Sequence, residues 1–163
     1  MIFIINFIEF NFSSNYILLF FLLLSSALIS GSEVALFSLT KKQIEENSNL
    51  SSVQAIKSLL KNPNKLLATI LVTNNLINIA VVILFSKIGN NLFQNISSPI
   101  LKFIFEIVIA TFLILFFGEI LPKIYASRNN IKFSKMIAGL LKFLDFIFTP
   151  ISTPMYYFSS FIN

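Results

Sequence analysis

The sequence predicts an all-α membrane protein with three transmembrane helices and amphipathic helices beside them at the cytoplasmic membrane surface. Apolar residues make up 56% of the 163 residues and charged residues only 12%, much less charge than a soluble domain carries. Three apolar stretches are each about 20 residues long, which is enough to cross a hydrocarbon core of ~30 Å. The basic residues lie between and after these stretches, where membrane topology places them.

The sequence predicts a single domain over residues 1–163. The chain begins with an apolar stretch that contains scattered polar residues. We expect residues 1–15 to form a short interfacial segment and residues 17–39 to form the first span. Residues 41–61 combine lysines and glutamates with apolar residues at helical spacing. This pattern predicts one or two short amphipathic helices.

The second and third spans are expected at about 66–86 and 101–121. Asn62 and Pro63 mark the start of the helix that contains the second span, because Asn caps helices and Pro suits the first helical position. The third span ends in the sequence Gly118-Glu119-Ile120-Leu121-Pro122-Lys123.

Lysines beside apolar residues at helical spacing predict an amphipathic surface helix at about 131–148, and Pro150 and Pro154 are expected to break the chain's helical structure beyond it. Residues 1–40 contain no Lys or Arg, whereas the connection after the first span and the C-terminal region are rich in them. This bias predicts a multi-pass protein of the cell (plasma or inner) membrane, with its N-terminus outside and its C-terminus in the cytoplasm.

The composition excludes several kinds of site. The chain has no Cys and no His, which removes disulfides, thiolate and imidazole metal sites, and Cys or His nucleophiles. With few acids inside the spans, no nucleophile–base arrangement is visible, so we do not expect an enzyme. The basic residues that give the net charge of +5 follow the topology, so we expect the lipid bilayer and not nucleic acid as partner.

The end of the third span is typical of a cation site. Glu119 places a charge at membrane depth, which costs a few kcal/mol and is usually retained for a task. Pro122 has no N–H, and in an α-helix the carbonyl that would lose its partner is that of Gly118. A carboxylate and a free backbone oxygen side by side are hard ligands that suit a hard metal ion.

The other spans carry polar groups at a similar depth. Ser26, Ser30 and Glu33 lie roughly on one face of the first span, and Gly31 lets another backbone approach. In the second span, Asn74 and Asn78 share a face. The full set of candidate ion ligands is Ser26, Ser30, Asn74, Asn75, Gly118 and Glu119, with Gly31, Ser32, Glu33, Asn78 and Pro122 in supporting positions. Composition alone does not choose between Mg²⁺, Ca²⁺ and Na⁺.

Each candidate also has a structural interpretation. The serines are often packing residues in membrane helices, and the asparagines can form interhelical hydrogen bonds. Glu119 can pair with Lys123 four residues on, and Glu33 with a lysine of the connection after the first span. Glu106 is expected to form a surface pair with Lys102. On these interpretations the chain is a non-transporting membrane anchor or oligomerisation module.

Three motifs together resemble one known family. They are Ser30-Gly31-Ser32-Glu33-Val34-Ala35-Leu36-Phe37-Ser38, then Thr73-Asn74-Asn75-Leu76-Ile77-Asn78, then Phe117-Gly118-Glu119-Ile120-Leu121-Pro122-Lys123. In this order and spacing they resemble the transmembrane domain of the CNNM/CorC family (cyclin M, CorB/CorC), from about residue 16 to the end.

The resemblance implies a homodimer in which each protomer has three spans around an inward-facing Mg²⁺ site. It implies export of Mg²⁺, with Na⁺ entry as the coupled flux. On this basis the ligands are the Ser26 and Ser30 hydroxyls, the Asn74 or Asn75 side chain, the Gly118 carbonyl and Glu119. Family members usually continue into a cytoplasmic pair of CBS modules that bind ATP–Mg²⁺, and these 163 residues do not contain that pair.

Overall fold

The fold is known from a computed structural model that describes residues 2–47 and 49–162, with the side chains of residues 14–47 and 49–149. The described residues form helices joined by short connections and contain no strand. In chain order the elements are α1 (Ile2–Phe37), α2 (Lys41–Glu46), α3 (Ser51–Leu60), α4 (Pro63–Leu92), α5 (Pro99–Leu113), a π-helical segment (Ile114–Ile120), α6 (Leu121–Arg128) and α7 (Asn130–Ile162).

Within these described ranges, three helical stretches are long and apolar enough to cross a membrane. They are Ser14–Phe37, Pro63–Leu92 and Pro99–Arg128, the last of which comprises α5, the π segment and α6. This confirms the predicted fold class, an all-α protein with three membrane-spanning helices.

Helix α1 lies at the centre of the molecule, because it contacts α4, the π segment, α6 and α7. The expectation of a separate interfacial segment at residues 1–15 is wrong, since α1 is continuous from Ile2. No Pro or Gly interrupts the sequence between Ile2 and Ser30, so nothing ends the helix early. At ~1.5 Å per residue, α1 is about 54 Å long and extends beyond a single hydrocarbon core.

The region at 41–61 forms two short helices. Thr40 begins α2 with a capping box, in which its side chain accepts from the Gln43 N–H while the Gln43 side chain accepts from the Thr40 N–H. One face of α3 is buried through Val53, Ile56 and Leu59, and this face contacts α7. The core that this packing completes also contains Leu36 of α1, Ile70 of α4 and Ile137 of α7. Burial of these side chains stabilises the end of the bundle at which α2 and α3 lie.

Helix α7 is attached to the second span by an ion pair. Lys65 Nζ lies 2.9 Å from Asp145 Oδ2 and 3.1 Å from Thr149 Oγ1.

The prolines near the end of α7 do not end the helix. The expected break at Pro150 and Pro154 is wrong, because α7 continues to Ile162. The two prolines are four residues apart and lie on one helix face, so the backbone hydrogen bonds that they remove are confined to that face.

Glu106 is buried between α4 and α5, and the expected surface pair with Lys102 is wrong. Its side chain is only 7% exposed. Lys102 Nζ donates instead to the Asn90 side-chain and backbone oxygens, at 2.8 and 3.4 Å. The i,i+4 spacing permits the pair, but close packing of α5 against Gly89 directs Glu106 inward.

Candidate functional site

Three elements contribute polar groups to one cluster inside the bundle. The Ser26 hydroxyl of α1 donates to Asn78 Oδ1 at 2.8 Å and lies 3.3 Å from Asn74 Oδ1. The amide nitrogens of Asn74 and Asn78 donate to Glu119 Oε1 of the π segment, at 3.4 and 3.2 Å. We call these four residues, together with Gly118, the polar cluster. Sequence reasoning placed Glu119 beside Asn74, and the structure has this arrangement.

Gly118 is the point at which the π segment contacts α1. A Cβ atom added to Gly118 would lie 2.8 Å from Ser26 Oγ and 3.3 Å from Ser26 Cβ. Ordinary carbon contacts are near 3.5–4.0 Å, so any side chain here would displace Ser26. Glycine at this position therefore brings the backbone of the π segment up to the Ser26 hydroxyl.

Ser30 lies one helical turn from Ser26 on the same face of α1. Its side chain is 1% exposed, and its hydroxyl has no hydrogen-bond partner in the structure. Leaving a buried hydroxyl unpaired costs about 1–3 kcal/mol, which is unusual in a folded protein. Ser30 therefore provides a buried oxygen whose lone pairs are available to a ligand.

The Glu119 carboxylate is held by amide groups and not by Lys123. Lys123 Nζ instead lies 3.4 Å from Glu33 Oε2, so the structural interpretation that pairs Glu119 with Lys123 is wrong. Glu33 pairs with this lysine of α6 and not with one from the connection after the first span. The two contacts to Glu119 are long for N–H···O hydrogen bonds, so the carboxyl oxygens remain available to a further ligand.

The π segment changes which carbonyl faces Pro122. The Leu121 N–H donates to the Phe116 carbonyl, five residues back and not four. With the same spacing, Pro122 faces the carbonyl of Phe117, whereas the α-helical spacing expected from the sequence points to Gly118. Pro122 cannot donate in either case, so this turn lacks one backbone hydrogen bond. Such π segments are frequent at functional sites.

The remaining sequence-predicted residues lie around the polar cluster. Asn75 is exposed and lines a groove of about 350 Å³ together with Asn78 and apolar side chains of α4, but unlike Asn78 it does not donate to Glu119. Ser32 is buried and donates to the Ile29 carbonyl of its own helix at 2.6 Å. A Cβ on Gly31 would lie 2.7 Å from Phe133 Cζ and 3.3 Å from the Pro122 carbonyl oxygen. Gly31 thus allows α6 and α7 to pack against α1.

The donors in the polar cluster are oxygens of the kind that hard cations prefer. One carboxylate, two amide oxygens and a hydroxyl lie together, and Ser30 adds a second hydroxyl one turn away. Among the side chains that the structure describes, no three acidic residues gather into a metal-binding group. The polar cluster thus has a single negative charge and several neutral donors, which suits an ion that must also be released.

Comparison with protein families gives a match over most of the chain. Residues 17–163 match the family described as the cyclin M transmembrane N-terminal domain. This range contains the whole polar cluster. It also contains the second and third membrane-spanning stretches and all of the first stretch from residue 17.

Among curated proteins, the chain is similar to a UPF0053 protein of Haemophilus influenzae, with 35% identity over 142 residues, which cover 85% of this chain and 32% of the relative. A UPF0053 protein of Synechocystis is 33% identical over 136 residues, which cover 82% of this chain and 38% of the relative. The UPF0053 inner membrane protein YfjD of Escherichia coli is 28% identical over 128 residues, which cover 77% of this chain and 29% of the relative. The chain therefore spans about a third of the length of these relatives.

Proposed function

Because this chain belongs to the cyclin M (CNNM) transmembrane family, we propose that it is a membrane transporter of divalent metal cations, with Mg²⁺ as the exported ion. The observation that carries the proposal is the polar cluster, in which Asn74 and Asn78 contact both the Glu119 carboxylate and the Ser26 hydroxyl. A carboxylate inside a membrane bundle is costly and marks an ion pathway more often than a packing contact.

The donor set fits Mg²⁺ as the substrate. Mg²⁺ needs near-octahedral oxygen ligands and commonly keeps several waters, so a few protein oxygens are enough. In the proposed site Glu119 supplies the charge, the amide and hydroxyl oxygens supply neutral ligands, and the backbone at Gly118 approaches without a side chain. A single carboxylate leaves the bound ion with net positive charge, which favours its release into water.

The side-chain amides of Asn74 and Asn78 can turn to present their oxygens when an ion binds. In the structure, the Asn74 and Asn78 nitrogens face Glu119 while their oxygens face the Ser26 hydroxyl. A cation at Glu119 repels the amide N–H groups, so turning each amide by about 180° brings its oxygen to the ion. One Asn nitrogen then donates to Ser26 Oγ, whose second lone pair stays available to the ion.

The test of this proposal is Mg²⁺ flux in liposomes that contain the purified chain and an internal Mg²⁺-sensitive dye. We expect Mg²⁺ added outside to enter faster than in protein-free liposomes, and faster still when the liposomes are loaded with Na⁺. Acceleration by internal Na⁺ would support Na⁺-coupled exchange. Flux equal to that of empty liposomes would favour the alternative, a non-transporting membrane anchor or oligomerisation module.

We also propose that the protein lies in the cell (plasma or inner) membrane, with the α4–α5 connection outside and α6 inside. The support is the lysine bias of the sequence and the similarity to an inner membrane protein. The chain has no native Cys, so single cysteines report topology cleanly. A membrane-impermeant maleimide is expected to label Ser97→Cys in intact cells and Ser127→Cys only after permeabilisation. The reverse pattern would invert the orientation.

The family resemblance further supports a homodimer. Large apolar side chains of α5 point away from the bundle, among them Phe103, Val108 and Phe112, and they can meet lipid or a second copy. The mass of the protein component in detergent, from light scattering, is expected to be twice 18.5 kDa. A mass of one chain in mild detergent and in nanodiscs would contradict the dimer.

A further inference from the structure

Glu106 on α5 is a buried carboxylate outside the polar cluster, 13 residues before Glu119. Its Oε2 accepts a hydrogen bond from Ser86 Oγ of α4 at 3.3 Å. Its Oε1 is buried and has no hydrogen-bond partner in the structure. The side chain as a whole is more than nine-tenths buried. One oxygen of this carboxyl group is therefore buried without a hydrogen-bond donor.

The neighbouring helix is shaped to admit this carboxyl group. A Cβ on Gly89 would lie 2.6 Å from Glu106 Oε1 and 2.8 Å from its Cδ, so only glycine leaves room for it. A groove of about 390 Å³ adjoins the group. Its lining residues are Val82, Ile83, Ser86, Phe103, Glu106 and Ile107.

The basic residues nearby are not paired with Glu106. Lys102, one turn away on α5, donates to the Asn90 oxygens. Lys87, next to Ser86 on α4, is exposed. Over residues 14–47 and 49–149, the structure thus shows no basic side chain paired with the Glu106 carboxylate.

A buried carboxylate with one unpaired oxygen is costly, and a bound cation offsets that cost. We propose that Glu106, with the Ser86 hydroxyl as a second ligand, forms a monovalent cation site that takes Na⁺. Glu106 and Ser86 supply one carboxylate and one hydroxyl, without the amide oxygens that the polar cluster offers, and this small donor set suits a monovalent cation. The site is separate from the polar cluster and stands whether or not the chain transports Mg²⁺.

The position of the site allows access from water. Glu106 is seven residues beyond Pro99, about 10 Å along α5, and Ser86 is six residues before Leu92, about 9 Å along α4. Both residues are thus within about two turns of the α4–α5 connection. A small cation can reach them from that membrane face, through the end of the helix pair, without crossing the bundle.

The test uses a hydrophobic carbodiimide, which modifies protonated carboxyl groups in apolar surroundings. Full-length protein in nanodiscs is treated at pH 6–8 in choline chloride or in NaCl of equal ionic strength. Labelling of Glu106 is then read from its peptide by mass spectrometry. In choline we expect at least half of the Glu106 peptide to be labelled, with the exposed Glu45 as an unlabelled internal control.

The comparison of the two salts tests whether Na⁺ occupies the site. If it does, labelling in NaCl falls about fivefold or more in a saturable manner. Labelling that does not depend on Na⁺ would contradict a Na⁺ site. Absence of labelling in both salts would overturn the proposal, because it would show a carboxylate already paired within the protein.

Lys102→Gln provides the matched control for such internal pairing. On our proposal this variant is labelled like wild type, since Lys102 does not hold the carboxylate. Labelling that appears only in Lys102→Gln would contradict the proposal and identify a salt bridge. The wild-type measurement itself needs no substitution at Glu106, so the result does not depend on whether a variant folds.

Discussion

Glu119→Gln is expected to reduce Mg²⁺ flux by about tenfold or more while leaving expression and folding intact. The substitution preserves the shape of the side chain and one carbonyl oxygen that can accept from Asn74 and Asn78. It removes the single negative charge of the polar cluster. Hydrogen bonds and contacts to charged groups contribute about 1.5–3 kcal/mol, which corresponds to roughly 10- to 100-fold in affinity.

The control for this prediction is Glu45→Gln, which removes the same charge from an exposed position on α2. We expect its flux to match wild type in the same liposome assay. Thermal unfolding of both variants in detergent shows whether a loss of flux comes from misfolding. Wild-type flux in a folded Glu119→Gln protein would exclude Glu119 as the ion ligand and with it the proposed site.

The convergence of the three spans could be predicted from the sequence, but the choice between neighbouring asparagines could not. Asn74 and Asn78 share a helix face, and Asn75 lies about 100° around the helix from Asn74. Apolar residues lie on every side of this stretch of α4, so the sequence pattern does not show which face points inward. The structure brings both Asn74 and Asn78 to Ser26 and Glu119, and the 2.8 Å contact between Asn78 and Ser26 is the shortest in the polar cluster. The sequence feature that indicates a shared role is the i,i+4 spacing of Asn74 and Asn78, which places both on one helix face.

The local details that depend on contacts between helices were beyond sequence reasoning. Pro122 indicates a disturbed helix, but the same residues are compatible with α-helical or π-helical spacing until neighbouring helices fix the backbone. Glu106 has a lysine at i−4, and this local pattern predicts a surface pair. Only the position of Gly89 on the adjacent helix, 17 residues earlier in the chain, shows that the carboxyl group is buried.

Gly118→Ala is expected to destabilise the folded protein and to abolish Mg²⁺ flux. The new Cβ would lie 2.8 Å from Ser26 Oγ and 3.3 Å from Ser26 Cβ, so the Ser26 hydroxyl must leave its hydrogen bonds to the asparagines or α1 and the π segment must move apart. Overpacking of this kind typically costs about 1–3 kcal/mol. Gly139→Ala is the matched control, because Gly139 is an exposed helical glycine with no neighbouring atoms within 4 Å of an added Cβ. There we expect a gain of about 0.5–1 kcal/mol and unchanged flux.

A second substitution separates the steric effect from the loss of an ion ligand. In Ser26→Gly/Gly118→Ala, the atoms that clash with the new Cβ are absent, so thermal stability is expected to recover toward that of Ser26→Gly alone. Mg²⁺ flux is expected to remain low, because the Ser26 hydroxyl is also absent. Recovery of both stability and flux would show that Ser26 and Gly118 matter only for packing. Failure to recover stability would show that the contact between them does not cause the loss.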